Sequence, residues 1–464
     1  MLQHGKVENQ KLLITPPLAP SMKIDVLGLG NPLMDITIPI EEDILKQLNL
    51  EKGGMHLITP EQAETLTTLL NTDKIQMTPA GSCANTIMGL ATLNNITQFI
   101  GKVGQDTIAA TYAEKMNSLN IIPQLIAGEA KTGTSFCLIT PDSERTMATL
   151  LGAAILLNET DIQTQNIPQA TYLYLTGYVL EDPNLRKAAL KTIHHCKAQG
   201  TKIAVDLADP HLIQRAKQTL IEIIQEHVDI LFLNQEEAEA FTGIEEPQKA
   251  AQALSAMTDI AVVKLGKKGC IISTKEISTP VAGFTVQQKD TTGAGDLFAA
   301  GFLHGLLKNL PLKQCGTIAN FMGAKTVEQY GAFPKQSYLD EINQLIQAPT
   351  TLNTYKETRP WGNFEQFSQN QLSTVKFLNI KEGEQLSLQY HKKRDEFWKV
   401  LEGTPTIIIG ETTHQAAPGQ HYFVPLKTKH TIITTTTPVK ILEISFGHYD
   451  ENDNIRVEDP YKRV

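Results

Sequence analysis

Two glycines and two carboxylates fall within the seven residues 290–296, which read Asp-Thr-Thr-Gly-Ala-Gly-Asp. The apolar residues that follow recur at the spacing of one helix face, at 297, 298, 302, 303, 306 and 307. The pattern predicts a turn, Gly293-Ala294-Gly295, at a helix N-terminus, where free backbone N–H groups and the helix dipole favour an anion. Asp296, in the first helical turn, could take a proton from an attacking hydroxyl while the amides hold a phosphoryl group.

A simpler interpretation of Asp296 is that it caps the helix, because Asp is common in first turns. The two glycines and the second carboxylate favour the anion site over a cap alone. A Walker A loop is excluded, since no Gly-Lys-Ser/Thr sequence follows the turn.

The elements around this turn predict an α/β protein. Strand patterns alternate with helix patterns from 170 to 345, which indicates a mostly parallel sheet covered on both faces. The predicted strands are 23–30, 172–175, 202–206, 230–233, 260–265 and 270–273, with a strand-like run at 283–288 before the turn. Two further runs, 134–140 and 145–150, flank Pro-Asp-Ser-Glu and predict a β-hairpin.

The 290–296 segment, with the Leu-Phe-Ala-Ala-Gly-Phe that follows it, resembles the C-terminal signature of ribokinase-like (PfkB) carbohydrate and nucleoside kinases. The resemblance implies a ribokinase-like αβα sandwich over residues 22–345, with ATP and Mg²⁺ as cofactors. It implies that Asp296 is the catalytic base and that the amides of Gly293, Ala294 and Gly295 form the anion hole. The hairpin, with part of 36–58, is expected to form a small β lid that excludes water.

Two N-terminal segments resemble the substrate side of the same family. Gly-Leu-Gly-Asn-Pro-Leu-Met-Asp at 28–35 is similar to its N-terminal strand, especially in the adenosine-kinase-like branch, and implies that Asp35 holds substrate hydroxyls. A solvated loop Asp is the alternative. Residues 79–85 resemble the Gly-Gly-Ser-x-x-Asn signature, with Ala80 in place of the first Gly. This implies substrate binding by Gly81, Ser82 and Asn85.

The nucleotide side is expected from three further segments. Asn234-Gln-Glu-Glu237 resembles the family's magnesium-positioning Asn-x-x-Glu motif, and it is also a plausible capping box; both can hold. The loop 264–269 resembles the family's nucleotide-carrying loop, and 323–331 falls where the family wraps adenine and often a monovalent cation such as K⁺. The expected nucleotide-binding residues are Asn234, Glu237, Lys264, Gly266, Gly269, Thr291 and Asn320.

The sequence pattern changes after a predicted linker at 346–358. Short apolar strands separated by Gly and Pro turns predict an all-β barrel or jelly roll over 359–464. The residues 383–403 follow the spacing G-x5-Q-x-H-x4-E-x6-G. Alternation puts the Gln and the first His on one face of a strand. Candidate N and O ligands for a divalent metal such as zinc are Gln389, His391, Glu396 and His430.

This spacing resembles the two cupin motifs. Together with Arg-Pro-Trp-Gly at 359–362 and Ile-Arg-Val-Glu-Asp at 455–459, it resembles the cupin domain of type II mannose-6-phosphate isomerases. The resemblance implies that the four candidate ligands bind the metal and that a proton moves between adjacent carbons through an enediol. Two departures bear on substrate fit: Lys-Lys-Arg at 392–394 replaces a His-rich segment, and Lys427 replaces a Gly. Arg456 and the 392–394 run offer cations for a phosphate, with a solvated barrel rim as the alternative.

Composition limits the remaining classes. With 464 residues, 41% apolar and 20% charged, the chain suits two or three folded domains after a loose tail at 1–21. A net charge of −9 argues against non-specific nucleic-acid binding. Five scattered cysteines without a Cys-x-x-Cys pair predict a reduced, cytoplasmic protein. No apolar run has the length of a signal core or a membrane span.

Together these features predict ATP-dependent phosphorylation of a primary hydroxyl on a sugar, with a hexose favoured. The alternative is an adenosine kinase whose cupin is a non-catalytic phosphosugar sensor. Isomerase activity stays open at this point, because a fold and a metal do not imply a function. The expected partners are a small-molecule sugar or nucleoside and, for assembly, a second copy in a homodimer; neither nucleic acid nor a membrane is expected.

Overall fold

The computed structural model describes residues 23–69, 76–142, 144–332, 337–347, 355–359, 362–366, 373–447 and 453–458. The chain divides into two compact units, Met1–Leu345 and Ile346–Val464. The predicted tail at 1–21 lies outside the described residues. The predicted linker at 346–358 is described at both ends, which fall in a helix and a strand, while 348–354 lie outside the described residues.

The N-terminal unit is built on a nine-stranded sheet. In sheet order, its strands are β14 (Ser278–Ala282), β13 (Gly269–Ser273), β12 (Ile260–Lys264), β11 (Ile230–Asn234), β10 (Lys202–Asp206), β9 (Ala170–Thr176), β1 (Ile24–Leu29), β5 (Thr97–Val103) and β6 (Ile122–Ala127). The seven strands from β12 to β6 are parallel, and β13 and β14 add an antiparallel edge. The seven parallel strands therefore send their carboxyl ends to the same edge of the sheet.

The helices that accompany this sheet are α1 (Glu42–Gln47), α2 (Pro60–Leu69), α3 (Ser82–Thr92), α4 (Thr107–Ser118), α5 (Tyr178–Glu181), α6 (Pro183–Ala198), α7 (Pro210–His227), α8 (Gln235–Thr242), α9 (Pro247–Leu254), α10 (Ala294–Leu307), α11 (Leu312–Val327) and α12 (Leu339–Gln347). Most of them, from α3 to α11, cover its two faces. Alternate strand residues bury on opposite sides: Phe232 packs with α10, whereas Leu231 and Leu233 pack on the other face, where α6–α9 lie. The predicted ribokinase-like αβα sandwich is confirmed.

A second sheet forms the predicted lid. In order, its strands are β3 (Met55–Leu57), β8 (Arg145–Leu150), β7 (Gly133–Ile139), β2 (Leu33–Pro39) and β4 (Gln76–Ala80). The hairpin prediction is confirmed by the antiparallel pairing of β7 with β8. One face of this sheet, including Phe136 and Leu138, joins the apolar core. The opposite face carries the polar side chains of Asp35, Ser135 and Arg145.

The strand-like run at 283–288 is not a strand, so that expectation was wrong. The edge position of the sheet is taken by β14, just before the run. The alternation that suggested a strand has another cause: Phe284 is half-buried and packs edge-on against Phe321 of α11 at 5.7 Å between ring centroids. When every second side chain of an extended segment packs against a helix, burial alternates with the same period of two as in a strand of a sheet.

The C-terminal unit is all β among its described residues. Its strands are β15 (Tyr355–Arg359), β16 (Gly362–Gln366), β17 (Ser373–Ile380), β18 (Leu388–Tyr390), β19 (Arg394–Glu402), β20 (Thr406–Ile409), β21 (Thr412–Gln415), β22 (His421–Val424), β23 (His430–Ile433), β24 (Val439–Gly447) and β25 (Ile455–Glu458). Two sheets, β17-β24-β19-β22 and β21-β20-β23-β18-β25, make the barrel. Its apolar core includes Trp398, Val400, Ile407, Ile432 and Ile441. The cupin prediction is confirmed.

Neither unit, over the residues described, contains a helix with the length and apolar character needed to cross a lipid bilayer.

Candidate active site and metal centre

The signature turn begins α10, as the sequence predicts. Gly293 is the residue before the helix, with φ +75° in the left-handed region. A Cβ at this position would lie 2.2 Å from the Cβ of Ala332. Both the backbone conformation and the space therefore require glycine. The first backbone N–H groups of α10 have no partner within the helix, which keeps the turn available for an anion.

Asp296 joins the two signatures of the N-terminal unit. Its Oδ1 accepts a hydrogen bond from Ser82 Oγ at 2.6 Å, and its Oδ2 accepts one from Asn85 Nδ2 at 2.8 Å. Thr86 Oγ1 also donates to the backbone carbonyl of Asp296 at 3.1 Å. Residues predicted for substrate and for catalysis are thus in direct contact, and the carboxylate is fixed in orientation.

Gly81 sets the direction of α3, which carries these donors. Its φ is +106°, and a Cβ there would lie 2.2 Å from the carbonyl oxygen of Asn31. The turn therefore brings the loop after β1 against the start of α3. The sequence predicts that Gly81 binds substrate, and in the structure its backbone shapes the turn that precedes Ser82 and Asn85.

The environment of Asp296 suits a base that works near neutral pH. Burial raises the pKa of Asp296 to about 6, against the hydrogen bonds from Ser82 and Asn85, which lower it. Asp206 adds to the increase and Lys264 opposes it. A carboxylate with this pKa is ionised at pH 7 and is still basic enough to accept a proton from a hydroxyl in a transition state.

Lys264 lies directly beside the anion turn. Its Nζ is 3.2 Å from the position that a Cβ on Gly295 would take, and it donates to Asp206 Oδ2 at 2.6 Å. The ion pair is nearly buried, with Asp206 2% exposed. Sequence analysis assigned Lys264 to the nucleotide but did not identify Asp206. The available signal was its position as the last residue of a parallel strand, where ligands collect.

Asn234 and Glu237 form the capping box that the sequence predicts. Glu237 N donates to Asn234 Oδ1 at 2.8 Å, and Asn234 N donates to Glu237 Oε2 at 2.7 Å. Burial raises the pKa of Glu237 to about 7, with Lys264 lowering it and Asp206 raising it. The charge of Lys264 thus acts on three carboxylates: it pairs directly with Asp206, and it lowers the pKa of Glu237 and of Asp296. Carboxylate oxygens are the hard ligands that suit a divalent cation such as Mg²⁺.

The polar face of the lid meets the signature. The Arg145 guanidinium forms an ion pair with Asp290, which also accepts a hydrogen bond from Gly331 N at 2.8 Å. Burial raises the pKa of Asp35, on strand β2 of the same sheet, to about 6, and the charge of Arg145 opposes that increase. The alternative of a solvated loop Asp is therefore wrong, because Asp35 is a strand residue in this partly enclosed face.

The remaining predicted nucleotide residues have different surroundings. Thr291 is exposed, and its carbonyl accepts from Ala294 N at 3.1 Å. Gly266 and Gly269 both have positive φ; a Cβ on Gly269 would lie 2.0 Å from the Val281 carbonyl oxygen. Asn320 is buried and its amide donates to the carbonyls of Val281 and Ala282 at 3.2 and 3.1 Å. In the structure, Gly269 and Asn320 anchor β14.

The C-terminal unit brings three of the four candidate metal ligands together. The ligand atoms of His391, Glu396 and His430 all lie within 4.8 Å of one another, and all three residues are buried. Glu396 Oε1 is 3.0 Å from His391 Nε2, and Oε2 is 3.7 Å from His430 Nε2. The fourth candidate, Gln389, is directly opposite His430 in the strand register, so the two side chains share a face.

The hydrogen bonds around the histidines fit a metal centre. Nδ1 of His430 is 2.8 Å from the Thr428 carbonyl, and Nδ1 of His391 is 3.3 Å from the Asp453 carbonyl. A carbonyl only accepts, so each Nδ1 carries the proton and each Nε2 offers a lone pair. His430 Nε2 is buried without a hydrogen-bond partner among the described residues. Burial also lowers the pKa of His430 to about 4, so the ring is neutral at pH 7.

The basic residues near this centre divide into two groups. Arg394 is buried, donates to Glu396 Oε1 at 3.0 Å and to Asn454 Oδ1 at 2.6 Å, and so does not belong to a solvated rim. Lys392, Lys393 and Arg456 are exposed. Burial alone would raise the pKa of Glu396, but His391, His430 and Arg394 together lower it to about 2. The carboxylate is therefore ionised across the ordinary pH range.

These two sites and folds define a sugar kinase, a transferase, joined to an isomerase-like cupin. The pfkB family carbohydrate kinase model matches residues 54–337, and the chain belongs to that family. The model of the C-terminal domain of mannose-6-phosphate isomerase matches residues 349–459.

Individual relatives agree with this assignment. Probable fructokinase-7 of Arabidopsis thaliana is 27% identical over 291 residues, which are 58% of this chain and 84% of the relative. The crystal structure of adenosine kinase from Sinorhizobium meliloti is 29% identical with a TM-score of 0.63 and covers 70% of this chain and 99% of its own. A probable sugar kinase from Rhizobium etli is 27% identical with a TM-score of 0.63, over 69% of this chain and 98% of its own.

Proposed function

We propose that the N-terminal unit transfers the γ-phosphoryl group of ATP to a primary hydroxyl of a hexose. The observation that carries the proposal is the position of Asp296 in the first turn of α10, held by Ser82 and Asn85 beside the backbone amides of the 293–295 turn. A positioned base next to an anion-binding turn is what in-line phosphoryl transfer needs from a protein.

Each residue then has a role in the transfer. Asp296 accepts the proton of the attacking hydroxyl, and the amides of Gly293, Ala294 and Gly295 hold the phosphoryl oxygens as negative charge shifts onto the leaving group. The Lys264 ammonium, next to Gly295, adds positive charge beneath the turn. A magnesium ion held through Glu237 and Asn234 would neutralise phosphate charge during transfer. The lid excludes water, which would otherwise compete as acceptor.

The acceptor would lie between the signature and the polar face of the lid. Asp35 supplies a carboxylate for sugar hydroxyls, and Gly81, Ser82 and Asn85 line the other side. The nucleotide would use the strand-end loops that contain Gly266, Gly269 and Thr291. The fusion to a domain that resembles a mannose-6-phosphate isomerase supports a hexose acceptor, since that isomerase class acts on hexose 6-phosphates.

Adenosine is the second candidate acceptor. The similarity in sequence and fold to the Sinorhizobium meliloti adenosine kinase favours it. A side-by-side measurement of ADP release with fructose, mannose, glucose and adenosine separates the two. We expect the highest kcat/KM with a hexose. A higher value with adenosine than with every hexose would overturn the hexose assignment and leave the transferase chemistry intact.

We further propose that the cupin interconverts hexose 6-phosphates. His391, Glu396, His430 and Gln389 would hold a divalent metal, which when bound would polarise the oxygens on the two reacting carbons. The chain's own part is to hold those ligands in place through the Nδ1 hydrogen bonds and the Arg394–Glu396 pair. The exposed Lys392, Lys393 and Arg456 provide positive charge for a phosphate.

Incubation of the full-length protein with mannose 6-phosphate, followed by NMR, tests this second activity. We expect fructose 6-phosphate to appear, and we expect its formation to stop in a His391→Ala variant. If the intact protein binds the sugar phosphate by calorimetry but converts none, the cupin is a phosphosugar sensor. If it neither binds nor converts, the hexose link between the two units fails.

A further inference from the structure

The interior of the cupin barrel holds a second set of polar groups beside the metal ligands. Strand β24 turns alternate side chains inward, and these are Val439, Ile441, Glu443 and Ser445. Ile441 belongs to the apolar core, whereas Glu443 and Ser445 are buried and polar. A buried carboxylate in a barrel core is costly unless it is paired, so its retention calls for an explanation.

Glu443 is paired on the side away from the metal ligands. Lys376 of β17 is directly opposite it in the register, and Lys376 Nζ lies 3.0 Å from Glu443 Oε1. Ser445 Oγ donates to the same Oε1 at 3.1 Å. Neither of these contacts uses Oε2. The Glu443 side chain is 4% exposed and that of Lys376 33%, so the pair extends from the interior toward solvent.

The other neighbours of Glu443 lead to the metal ligands. In the pairing of β19 with β24, Ser445 is opposite Glu396 and Glu443 is opposite Trp398. The Trp398 ring is 5.3 Å from the His430 ring, centroid to centroid. Trp398 Nε1 is buried and has no hydrogen-bond partner among the described residues. The strand register thus places Ser445 and Glu443 beside Glu396 and Trp398, and it places Lys376 on the other side of Glu443.

We propose that Glu443 is the base that moves the carbon-bound proton in the cupin reaction, with Lys376 as the cation that holds its carboxylate and Trp398 Nε1 as a donor to a substrate hydroxyl. This inference rests on the isomerase activity proposed above. The metal ligands cannot readily provide the base, because Glu396 is held by His391 and Arg394. Glu443 is the buried carboxylate whose inward strand position is next to that cluster.

The proton transfers balance without any further reactant. Glu443 takes the hydrogen on C2 of the open-chain aldose phosphate as a proton, and the electron pair of that C–H bond forms a C1–C2 double bond. The carbonyl oxygen on C1 gains a proton as the hydroxyl on C2 loses one. Glu443 then returns its proton to C1, and the C2 oxygen becomes the ketone. No atom or electron is gained or lost overall, and the carboxylate is regenerated.

The test compares three variants of the full-length protein with the wild type. Glu443→Gln keeps the shape of the side chain but removes the base. Lys440→Met is the control, because Lys440 is on the same strand but lies over the ring of Phe377 at 5.2 Å, on the opposite face. Conversion of mannose 6-phosphate to fructose 6-phosphate is followed by NMR, and bound metal is measured by elemental analysis. The double variant K376M/E443Q removes both charges should the single variant fail to fold.

We expect Glu443→Gln to slow the conversion by about 10²- to 10⁴-fold with unchanged metal content, and Lys440→Met to behave as wild type. Conversion at the wild-type rate in Glu443→Gln or in the double variant would overturn the role of Glu443 alone. Loss of conversion that is accompanied by loss of the metal would also overturn it, since the pair would then be structural. A wild-type protein that binds its metal but converts nothing would refute the isomerase activity itself, and this inference with it.

Discussion

Asn85 donates a 2.8 Å hydrogen bond to Oδ2 of Asp296, although the two residues are 211 positions apart in the chain. Ser82 donates to the other carboxylate oxygen at 2.6 Å. Both carboxylate oxygens of Asp296 thus accept a hydrogen bond from a donor that is fixed on α3. A base that is held in this way needs no reorganisation when a hydroxyl approaches, which is the source of much of the rate enhancement by such groups.

Replacement of Asp296 by Asn should abolish phosphoryl transfer while nucleotide still binds. The amide keeps the shape of the carboxylate but cannot accept a proton, so we expect kcat to fall by about 10²- to 10⁴-fold. Steady-state ADP release and calorimetry with a nucleotide measure the two quantities. Turnover near that of the wild type would show that Asp296 is only a helix cap and not a base.

The acid side of the pH profile should report Asp296 and its two charged neighbours. The pKa of Asp296 is raised to about 6, so the ionised base is lost as pH falls through that value and kcat/KM falls with it. Lys264 lowers this pKa and Asp206 raises it. Lys264→Met should therefore move the acid limb to higher pH, and Asp206→Asn should move it to lower pH.

The opposite signs make this pair of variants informative. A purely structural role for the Lys264–Asp206 pair would lower activity at every pH in both variants and leave the limb in place. Thermal unfolding of each variant, measured at pH 7.5 (about one and a half units above the limb), checks that the protein is folded. Shifts of the same sign in both variants would contradict the electrostatic account.

The ion pair between Arg145 and Asp290 should stabilise the lid against the signature. Asp290 is 7% exposed, so removal of its partner in Arg145→Met leaves a nearly buried carboxylate without its cation. We expect a loss of about 3 kcal/mol in the free energy of unfolding of the N-terminal unit. Urea unfolding measures this loss. It is followed by circular dichroism rather than by tryptophan fluorescence, because both Trp residues lie in the C-terminal unit.

The matched control for that variant is Arg215→Met. Arg215 pairs with Glu181 at 2.5 Å, but its side chain is 56% exposed, so solvent screens the pair. We expect this control to lose at most a small fraction of the stability lost in Arg145→Met. Equal losses in the two variants would mean that the lid contact contributes nothing beyond an ordinary surface pair.

One divalent metal should copurify with each chain, and the His391→Ala, His430→Ala double variant should lose it. The two rings supply the Nε2 atoms of the cluster, and Glu396 with Gln389 is too weak a site to retain the ion. Elemental analysis gives the metal content. His414→Ala, His421→Ala is the control, since these two histidines of the same unit lie outside the cluster; a loss of metal there would place the site elsewhere.

The sequence predicted those parts of the structure that depend on local pattern. The turn at Gly293, the capping box at Asn234 and the spacing of His391 and Glu396 are all set by residues within a few positions of each other. These local rules hold without knowledge of the tertiary fold, and so the helices and strands that carry the candidate sites were found close to their observed bounds.

Partners that are distant in the sequence were not predicted. The pairs Asp206–Lys264, Arg145–Asp290 and Lys376–Glu443 form only once strands are placed side by side. None of these residues has a spacing that points to its partner. For the same reason Arg394 was grouped with a surface run, although the strand alternation that buries Glu396 also turns Arg394 inward.

The strand order of the main sheet has a consequence for synthesis on the ribosome. β1, β5 and β6 are adjacent, so this part of the sheet is complete once residue 127 has been made. From β9 to β14 each new strand pairs with the one made just before it, β9 itself joining β1, so growth proceeds at one edge only. The helix that carries Asp296 comes after all nine strands. A nascent chain therefore holds the sheet and the Ser82–Asn85 turn before it holds a base, and phosphoryl transfer begins only after the scaffold is complete.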